Sequence, residues 1–558
     1  MKNLKRFAAL LLALAMLFAL AACGGSGDGK TNDGGSSTTT GGDQGAANTG
    51  SDDGAQKPAD VEVDNSGPAT STKTTPEGTL VVAYNDEPDS LNPAESSRSA
   101  FSIKNIVYET LMIKNYETGE YEPWIATDWT FEDETTLVMN LRDDVKFSNG
   151  DLMTAEDVLY TVYRYVNSSR VSSSYEFIDY DACSTNGDTQ ITIKLKNPTG
   201  AALGYISNMM VYNKAYTEQV GEDVMATEPC GTGPFKVDEW TSNYGISYSR
   251  NEYYWGGNDV SVEFDNIEVR YYTETTTMMV DFETGALDVA TYLAETDVRR
   301  IQNGEVEGAK VYVTPSMGIY SFVLYDQFEP FKDERVRQAF AYALDIPAMT
   351  DNALGVLGQP ATSIFGTGVN YKIDCGSYGY DPDKARELLA EAGYADGFDC
   401  LAVATTGNIY TALLETAQAY LADVGINMTI EQYDFSTAIT YWQGTQNGGV
   451  PVNQVGILQL SPSTGDADQV LTTTKVGSGL TYVECNDDHV QELINKGANT
   501  SDPAVRTEAY KELQEYMYEQ AYQVPIVEDS NGFAIHDYID WFDGSAPSCP
   551  RFCFTTLK

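Results

Sequence analysis

The segment Gly231-Thr-Gly-Pro-Phe235 combines two glycines with a proline and suits a turn between two domains. On its N-terminal side, Thr189-Gln-Ile-Thr-Ile-Lys-Leu195 has apolar residues at every second position, which is the pattern of a half-buried strand. Residues 135–141 also predict a strand, as do residues 262–272 and 319–325 on the C-terminal side. The turn is therefore flanked by predicted strands on both sides.

Amphipathic helices alternate with these strands. Asp381-Pro382 and Asp502-Pro503 each combine a capping residue with a proline at the first helical position. The first of these helices is expected to end at Gly393 and the second near Gln520. A third helix, ended by Gly425, is indicated by the apolar stripe of Leu413, Leu414, Ala417, Leu421 and Val424. Together, the elements predict an α/β fold with mixed sheets.

The N-terminus has the pattern of an export signal. A short basic stretch precedes an uncharged apolar run over residues 7–22, which is shorter than the ~20 residues of a membrane-spanning helix. Ala21 and Ala22 directly before Cys23 resemble the lipobox of bacterial lipoproteins, in which the cysteine is lipidated and becomes the new N-terminus. We therefore expect a signal peptide over residues 1–22 and a lipid anchor on Cys23. The alternative is an ordinary signal peptide followed by a chance cysteine.

Residues 23–76 predict a tether. The segment is rich in Gly, Ser, Thr, Asp and Asn and has no aromatic residue, so it cannot bury enough apolar surface to offset its ordering entropy. The globular body is expected over residues 77–558.

The charge of the chain limits its partners. Lys and Arg number 34 against 82 Asp and Glu, for a net charge of -48. Such a chain lacks the basic face that nucleic acid binding requires, which excludes nucleic acid as a partner. The acidity is either a solvated, self-repelling surface or an acidic cleft that attracts cationic ligands.

No metal, cofactor or catalytic motif is evident. Seven cysteines follow Cys23, an odd number without C-x-x-C spacing, and the chain has only two histidines. The pattern G-x-x-x-x-G-K-[ST] occurs only at residues 24–31, inside the polar segment and not between a predicted strand and a predicted helix, so it does not indicate a phosphate-binding loop. There is no G-x-S-x-G elbow or H-E-x-x-H helix. A secreted hydrolase that uses a carboxylate pair is the alternative from another class of function.

Four sequence blocks resemble the family 5 bacterial extracellular solute-binding proteins, the oligopeptide- and dipeptide-binding receptors of ABC importers. Their order and spacing match the family over roughly residues 80–540. The blocks are Glu87-Pro-Asp-Ser-Leu-Asn-Pro93; Tyr108-Glu-Thr-Leu with Glu122-Pro-Trp-Ile-Ala126 and Leu141-Arg-Asp-Asp-Val-Lys-Phe147; Gly231-Thr-Gly-Pro-Phe235 with Tyr254-Trp255-Gly256-Gly257; and Val336-Arg-Gln-Ala339 with Tyr380-Asp381-Pro382.

The resemblance implies a two-lobed protein that closes on its ligand by a hinge. Lobe one would comprise residues 77–108, 228–314 and 530–558, with an extra subdomain over 109–227, and lobe two would comprise residues 315–529. The implied function is that of an exported, lipid-anchored receptor on the outer face of the cell membrane. It would bind peptides, deliver them to ABC permease subunits and have no enzymatic activity. A carbohydrate or another small polar solute is the alternative ligand.

One segment of lobe two departs from the peptide-binding pattern of the family. Peptide-binding members present an acidic residue to the free amine of the ligand, and the gapless match places Ser463 at that position. The match also places Leu460 at a tryptophan and Ile457 at an arginine of some members. Either Asp466 or Asp468 substitutes for the missing carboxylate, or the ligand is not an ordinary free-amine peptide; a purely structural role for both aspartates is the other possibility.

Other ligand contacts are implied by position along the chain. Ser96 and Ser97 follow the first strand, and Tyr175 matches an aromatic residue of the extra subdomain. In lobe two, polar residues before a helix could face an anionic end of the ligand, and two aromatic residues could form walls. These lobe-two residues are Thr405, Thr406, Asn408, Tyr410 and Trp442.

Overall fold

The computed structural model describes residues 78–96, 101–116, 118–256, 262–443, 454–476, 478, 481–483, 485–542 and 550–558. The predicted signal peptide and tether lie outside these ranges, as do Cys23, Ser97 and Cys549.

Strands and helices alternate along the described chain. The strands are β1 (Thr79–Tyr84), β2 (Met112–Lys114), β3 (Tyr121–Pro123), β4 (Ala126–Asp133), β5 (Thr136–Leu141), β6 (Ser184–Thr185), β7 (Gln190–Lys194), β8 (Phe235–Thr241), β9 (Gly245–Arg250), β10 (Asn266–Tyr271), β11 (Val289–Ala290), β12 (Ala309–Leu324), β13 (Gly358–Pro360), β14 (Phe398–Thr405), β15 (Ile426–Tyr433), β16 (Val455–Leu460), β17 (Gln523–His536), β18 (Ile539–Trp541) and β19 (Thr556–Leu557). The α-helices are α1 (Phe101–Lys104), α2 (Ala155–Val166), α3 (Ala202–Ser207), α4 (Lys214–Val220), α5 (Glu222–Met225), α6 (Thr275–Glu283), α7 (Glu295–Gln302), α8 (Glu334–Tyr342), α9 (Ile346–Leu354), α10 (Pro382–Glu391), α11 (Asn408–Asp423), α12 (Phe435–Trp442), α13 (Ala467–Leu471), α14 (Asp488–Ala498) and α15 (Pro503–Gln520).

Eleven strands of the described chain form one mixed sheet. Its order is β15-β14-β16-β12-β17-β11-β1-β10-β9-β8, and β13 pairs with β17 beside this path. β14 is parallel to β15 and β16, and β1 is parallel to β10 and β11, whereas β12 and β17 are antiparallel to each other. The predicted α/β fold with mixed sheets is confirmed.

The long strands β12 and β17 run through the middle of this sheet. Residues 309–315 pair with 530–536, the ladder is interrupted, and pairing resumes between 319–323 and 523–528. Met317 lies in the interruption and has a left-handed backbone, with φ of 62°. A non-glycine residue in this conformation is uncommon, so the strand changes its course here at some cost in free energy.

The buried apolar side chains form several separate clusters. The cluster around Val158 and Ile193 takes its members from residues 94–230, a range that contains the extra subdomain predicted over 109–227. The predicted crossings between the lobes, after residues 314 and 529, fall at the interruption between β12 and β17. The domain boundaries themselves stay predictions.

The predicted helices are confirmed, including their ends. The Asp381 carboxylate accepts the backbone N–H of Lys384 at 2.9 Å, and α10 begins at Pro382. Gly393 follows α10 with φ of 90°, a left-handed conformation that favours glycine. α15 ends at Gln520, as predicted. α11 buries the predicted stripe against the core and is followed by Gly425.

Among the described cysteines, Cys183, Cys230, Cys375, Cys400 and Cys485 are free thiols. Within the described ranges, every helix is too short or too polar to cross a membrane.

Candidate functional site

A cavity of about 530 Å³ lies between residues 84–96, the strand β2 and the loop after β16. This volume falls within the range of ~300–1,000 Å³ that is typical of small-molecule sites. Its wall is rich in aromatic rings that carry a polar hydroxyl. Six tyrosines line it: Tyr84, Tyr116, Tyr165, Tyr175, Tyr205 and Tyr292.

The loop 461–463 forms one side of the cavity. The backbone N–H of Ser463 donates to Oε1 of Gln469 at 2.8 Å, and the N–H of Thr464 donates to the same oxygen at 3.0 Å. From the facing wall, Nδ2 of Asn208 donates to the carbonyl oxygen of Ser463 at 3.3 Å. Gln469 therefore holds the loop in place, and Asn208 connects it to the opposite side of the cavity.

Lys114, the last residue of β2, reaches the same loop. Its Nζ donates to the carbonyl oxygen of Gly465 at 2.8 Å and to that of Thr464 at 3.2 Å. The side chain is only 7% exposed. Burial lowers the pKa of Lys114 to about 8, against the opposing effect of the Asp466 charge. An ammonium group is thus held at the cavity wall by two neutral oxygens.

A second charged group on the wall is an ion pair. Nη2 of Arg551 lies 2.9 Å from Oε2 of Glu109. The Glu109 carboxylate also accepts from Nε1 of Trp124 at 2.7 Å and from the hydroxyl of Tyr254 at 2.9 Å. Burial raises the pKa of Glu109, and these three donors oppose the rise. The carboxylate is therefore already engaged by groups of the protein.

Ser96 and Tyr175 are predicted ligand contacts that the structure places on the cavity wall. The Ser96 hydroxyl accepts from Nζ of Lys104 at 2.6 Å. The Tyr175 ring packs edge-on against Tyr165, with 5.0 Å between centroids, and its hydroxyl donates to the carbonyl oxygen of Tyr205 at 3.2 Å. With Ser463, the structure brings three predicted contacts together around one cavity, whereas Ser97 lies outside the described residues.

Asp466 and Asp468 do not line this cavity, because both carboxylates face Arg506. The Arg506 guanidinium donates to Asp466 at 3.0 and 2.6 Å, and its Nη2 lies 3.0 Å from Oδ2 of Asp468. The Tyr510 hydroxyl also donates to Asp468. Burial and the neighbouring Asp466 charge raise the pKa of Asp468. This geometry favours the structural role that the sequence left open for both aspartates.

The other predicted lobe-two contacts also lie away from the cavity wall. Trp442 is 1% exposed, and its Nε1 donates to the carbonyl oxygen of Val403 at 3.1 Å inside the core. Tyr410 packs against Tyr320 with 5.2 Å between ring centroids. Thr405 ends β14, the Thr406 N–H donates to the Tyr433 carbonyl oxygen at 2.8 Å, and Asn408 begins α11. These residues do not line the cavity, so their contact with a ligand stays a prediction without support from this structure.

The charges on the wall argue against an acidic cleft. Its charged lining residues are the cations Lys104, Lys114 and Arg551 and the acids Asp86 and Glu109. Glu109 is paired with Arg551, and Asp86 is exposed at the surface. The cavity therefore differs in charge from the chain as a whole, and the acidity of the sequence belongs to its solvated surface.

The sequence reasoning missed Lys114, Glu109 and Arg551. Lys114 follows Leu111-Met-Ile113, where alternation places the lysine on the same face as the buried Met112. A lysine on the buried face of a strand is rare and was the available signal. The pairing of Glu109 with Arg551 spans the whole body, and no local pattern predicts it.

The described residues contain no group of three His, Cys, Asp or Glu side chains that could hold a metal ion. The groups that the cavity wall offers are hydrogen-bond donors and acceptors, aromatic rings and charged side chains.

Known proteins match this chain over most of its length. A profile described as bacterial extracellular solute-binding proteins, family 5 Middle, matches residues 120–480. The glutathione-binding protein GsiB of Escherichia coli O1:K1 / APEC is 26% identical over 416 residues, which are 72% of this chain and 80% of that protein.

Two solved structures share the fold. The ABC transporter substrate-binding protein CtaP of Listeria monocytogenes has a TM-score of 0.75 at 19% identity and covers 87% of this chain and 100% of its own. The ABC transporter-associated periplasmic binding protein DppA of Helicobacter pylori, in complex with the peptide STSA, has a TM-score of 0.69 at 22% identity. That match covers 87% of this chain and 98% of DppA.

Proposed function

The chain belongs to the bacterial extracellular solute-binding proteins of family 5, and from that premise we propose that it captures peptides and delivers them to the permease of an ABC importer. Like its relatives, it is a substrate-binding protein and not an enzyme. The expectation of a secreted hydrolase is thereby set aside.

The observation that carries the peptide assignment is the similarity to glutathione- and peptide-binding relatives, and the composition of the cavity wall agrees with it. Tyrosine rings provide apolar contact area for side chains, while hydroxyl groups and the 461–463 loop provide partners for peptide groups. Among the relatives, GsiB is a glutathione-binding protein and DppA was solved with a bound peptide. A peptide of a few residues is the ligand class that agrees with both the wall and these relatives.

A carbohydrate or other small polar solute is the second candidate. The six tyrosines on the wall favour it, because amphipathic rings stack on sugar faces as readily as they pack against side chains. A binding screen against both ligand classes separates the two candidates.

We expect short peptides to stabilise the full chain in thermal-shift and calorimetric titrations, and oligosaccharides to leave it unchanged. A ligand at 100 times its Kd should add about 2.7 kcal/mol to the free energy of unfolding. Tyr116→Ala should weaken binding, because Tyr116 lines the cavity. Tyr244→Ala is the matched control, since Tyr244 is 57% exposed and lies away from the cavity. Binding of oligosaccharides alone would contradict the peptide assignment.

We also propose that Cys23 anchors the protein. The proposal rests on the export signal over residues 1–22, the Ala21-Ala22-Cys23 sequence and the polar segment that follows. The anchor would keep the receptor on the outer face of the membrane, beside the permease subunits that receive its ligand.

Cys23→Ala should release the receptor from the membrane or leave it unprocessed, with an unchanged fold. Fractionation and intact mass spectrometry of the variant and the parent measure the outcome. Cys375→Ala is the control, because it also replaces one cysteine by alanine but lies far from the export signal along the chain. Unchanged membrane retention of the Cys23 variant, with no lipid on the parent, would contradict the proposed anchor.

A further inference from the structure

Lys114 is a buried cation on the wall of a cavity in a strongly acidic protein. Its Nζ donates hydrogen bonds to the carbonyl oxygens of Thr464 and Gly465, and both of these acceptors are neutral. Carbonyl dipoles compensate the lost hydration of an ammonium group only in part, so a buried cation without an anion is costly. A ligand that brings a negative charge to this place would remove that cost.

The Asp466 charge acts on Lys114, but the Asp466 oxygens are bound by another cation. Asp466 is bound by two nitrogens of Arg506, at 3.0 and 2.6 Å. Asp468 faces the same guanidinium and the Tyr510 hydroxyl. Arg506 carries one positive charge against the two carboxylates, and the Asp466 charge favours the charged form of Lys114. The hydrogen-bond acceptors of the Lys114 Nζ are nevertheless the two carbonyl oxygens and not these carboxylates.

The acids on the cavity wall offer little to a ligand cation. Glu109 already accepts from Arg551, Trp124 and Tyr254. Asp86 is exposed, where water screens its charge. A ligand ammonium group buried in this cavity would meet no open carboxylate among the described lining residues.

We propose that Lys114 recognises a carboxylate of the ligand, and that the cavity selects its ligands by this negative group and not by a free amine. The proposal rests on the proposed function and specifies how that site distinguishes its ligands. An ammonium group has three donors, and Lys114 uses two of them on the 464–465 carbonyls. Nζ also lies 5.3 Å from the centroid of the Tyr116 ring. Its third donor can be given to a ligand carboxylate placed beside Ser463, in a charge-assisted hydrogen bond that is stronger than the contact with the ring.

The test compares the affinities of the full wild-type chain for three forms of one tripeptide library. The forms are free peptides, N-acetylated peptides and C-terminal amides. Competition calorimetry measures the Kd of each form. Acetylation should change affinity by less than about threefold, whereas amidation should weaken it at least about tenfold, because it removes one partner of a buried charged hydrogen bond.

Lys114→Gln should remove the preference for the acid over the amide, since glutamine keeps a donor but carries no charge. Lys114→Arg should keep the preference. Lys146→Gln is the matched control, because Lys146 is an exposed lysine that follows β5 and does not line the cavity. Circular dichroism and thermal unfolding establish that each variant is folded. The comparison of acids with amides on the wild-type chain tests the proposal even if a variant does not fold.

Equal affinity of the wild type for acids and amides would overturn the proposal and leave peptide binding intact. A loss of affinity on acetylation as large as that on amidation would also overturn it. If no peptide form binds, the proposed function fails, and the same comparison is made between galacturonate and galactose. A Lys114-dependent preference for the sugar acid would then support the proposal, and its absence would overturn it.

Discussion

At the scale of single residues, Arg506 is the most consequential side chain of the polar interior. It is 3% exposed and binds two buried carboxylates, and its guanidinium carbon lies 4.8 Å from the centroid of the Tyr371 ring. Breaking a buried ion pair by removing one partner is strongly destabilising, because the remaining charge is left uncompensated. The cluster therefore stabilises the segment that follows the cavity loop.

Asp466→Asn should lower the free energy of unfolding by about 1–3 kcal/mol, because Arg506 loses its closest carboxylate but keeps its pairing with Asp468. Urea unfolding followed by circular dichroism measures the change. Asp383→Asn is the matched control, since it also removes an arginine partner but at a side chain that is 95% exposed, and its cost should stay below about 1 kcal/mol. If the variant kept its stability but lost affinity only for ligands with a free amine, Asp466 would instead be a ligand-binding residue.

The sequence indicated that the segment around Ser463 is important, but it did not indicate which group the carboxylates of Asp466 and Asp468 face. Asp466 and Asp468 are close to Ser463 along the chain, which made them natural substitutes for a missing ligand carboxylate. Their partner, Arg506, comes 40 residues after Asp466 and belongs to another helix. Side-chain pairing at that separation depends on tertiary packing, which periodicity and spacing do not report.

At the scale of elements, the turn Gly231-Thr-Gly-Pro-Phe235 packs directly against the backbone of residues 106–108. The Gly233 N–H donates to the Val107 carbonyl oxygen at 2.7 Å, and the Phe235 N–H donates to the Ile106 carbonyl oxygen at 3.1 Å. A Cβ atom on Gly231 would lie 2.1 Å from that Val107 oxygen. The glycines are thus required for a close approach of two chain segments.

Gly233→Ala should destabilise the protein by about 3 kcal/mol, because the added methyl group would lie 2.5 Å from the Val107 carbonyl carbon and the backbone must move. Gly187→Ala is the comparison. Gly187 has open space around its Cβ position but a φ of 68°, so only backbone strain of about 1–2 kcal/mol is expected. Thermal unfolding of both variants measures the difference; equal costs would show that the close approach relaxes easily.

Local signals predicted the helices better than the long strands. The ends of α10 and α15 followed from capping residues, prolines and glycines, which act within one or two turns. β12, by contrast, begins at Ala309, ten residues before the predicted start at Ile319. Its first half is a strand because it pairs with residues 530–536, and a partner so distant in sequence leaves no local signature.

At the scale of the whole molecule, the family and its fold were predictable because the motif blocks are spread over most of the body. The cavity was predictable only in part. Ser96, Tyr175 and Ser463 lie on its wall, whereas Lys114 and the Glu109–Arg551 pair depend on contacts between distant segments. The division into lobes and their closure stay predictions. The interrupted ladder between β12 and β17 gives the place at which such a closure would bend the sheet.

Ligand binding should reduce the radius of gyration of the full chain in small-angle scattering. The interruption near Met317 gives two paired strands a place to bend while the ladders on either side stay intact. The matched measurement uses a peptide that calorimetry shows not to bind, which should leave the scattering unchanged. An unchanged radius at saturation with a true ligand would contradict closure about this point.

The position of β17 in the sheet also determines the order in which the protein can fold. In the sheet, β17 lies between β12 and β11, so it alone connects the strands β15-β14-β16-β12 to β11-β1-β10-β9-β8. Residues 523–536 leave the ribosome long after every other strand of this sheet has been made. Until then, the two groups of strands have no ladder between them. The sheet can therefore be completed only after β17 has been made, because the ladders that join the two groups of strands require this last strand.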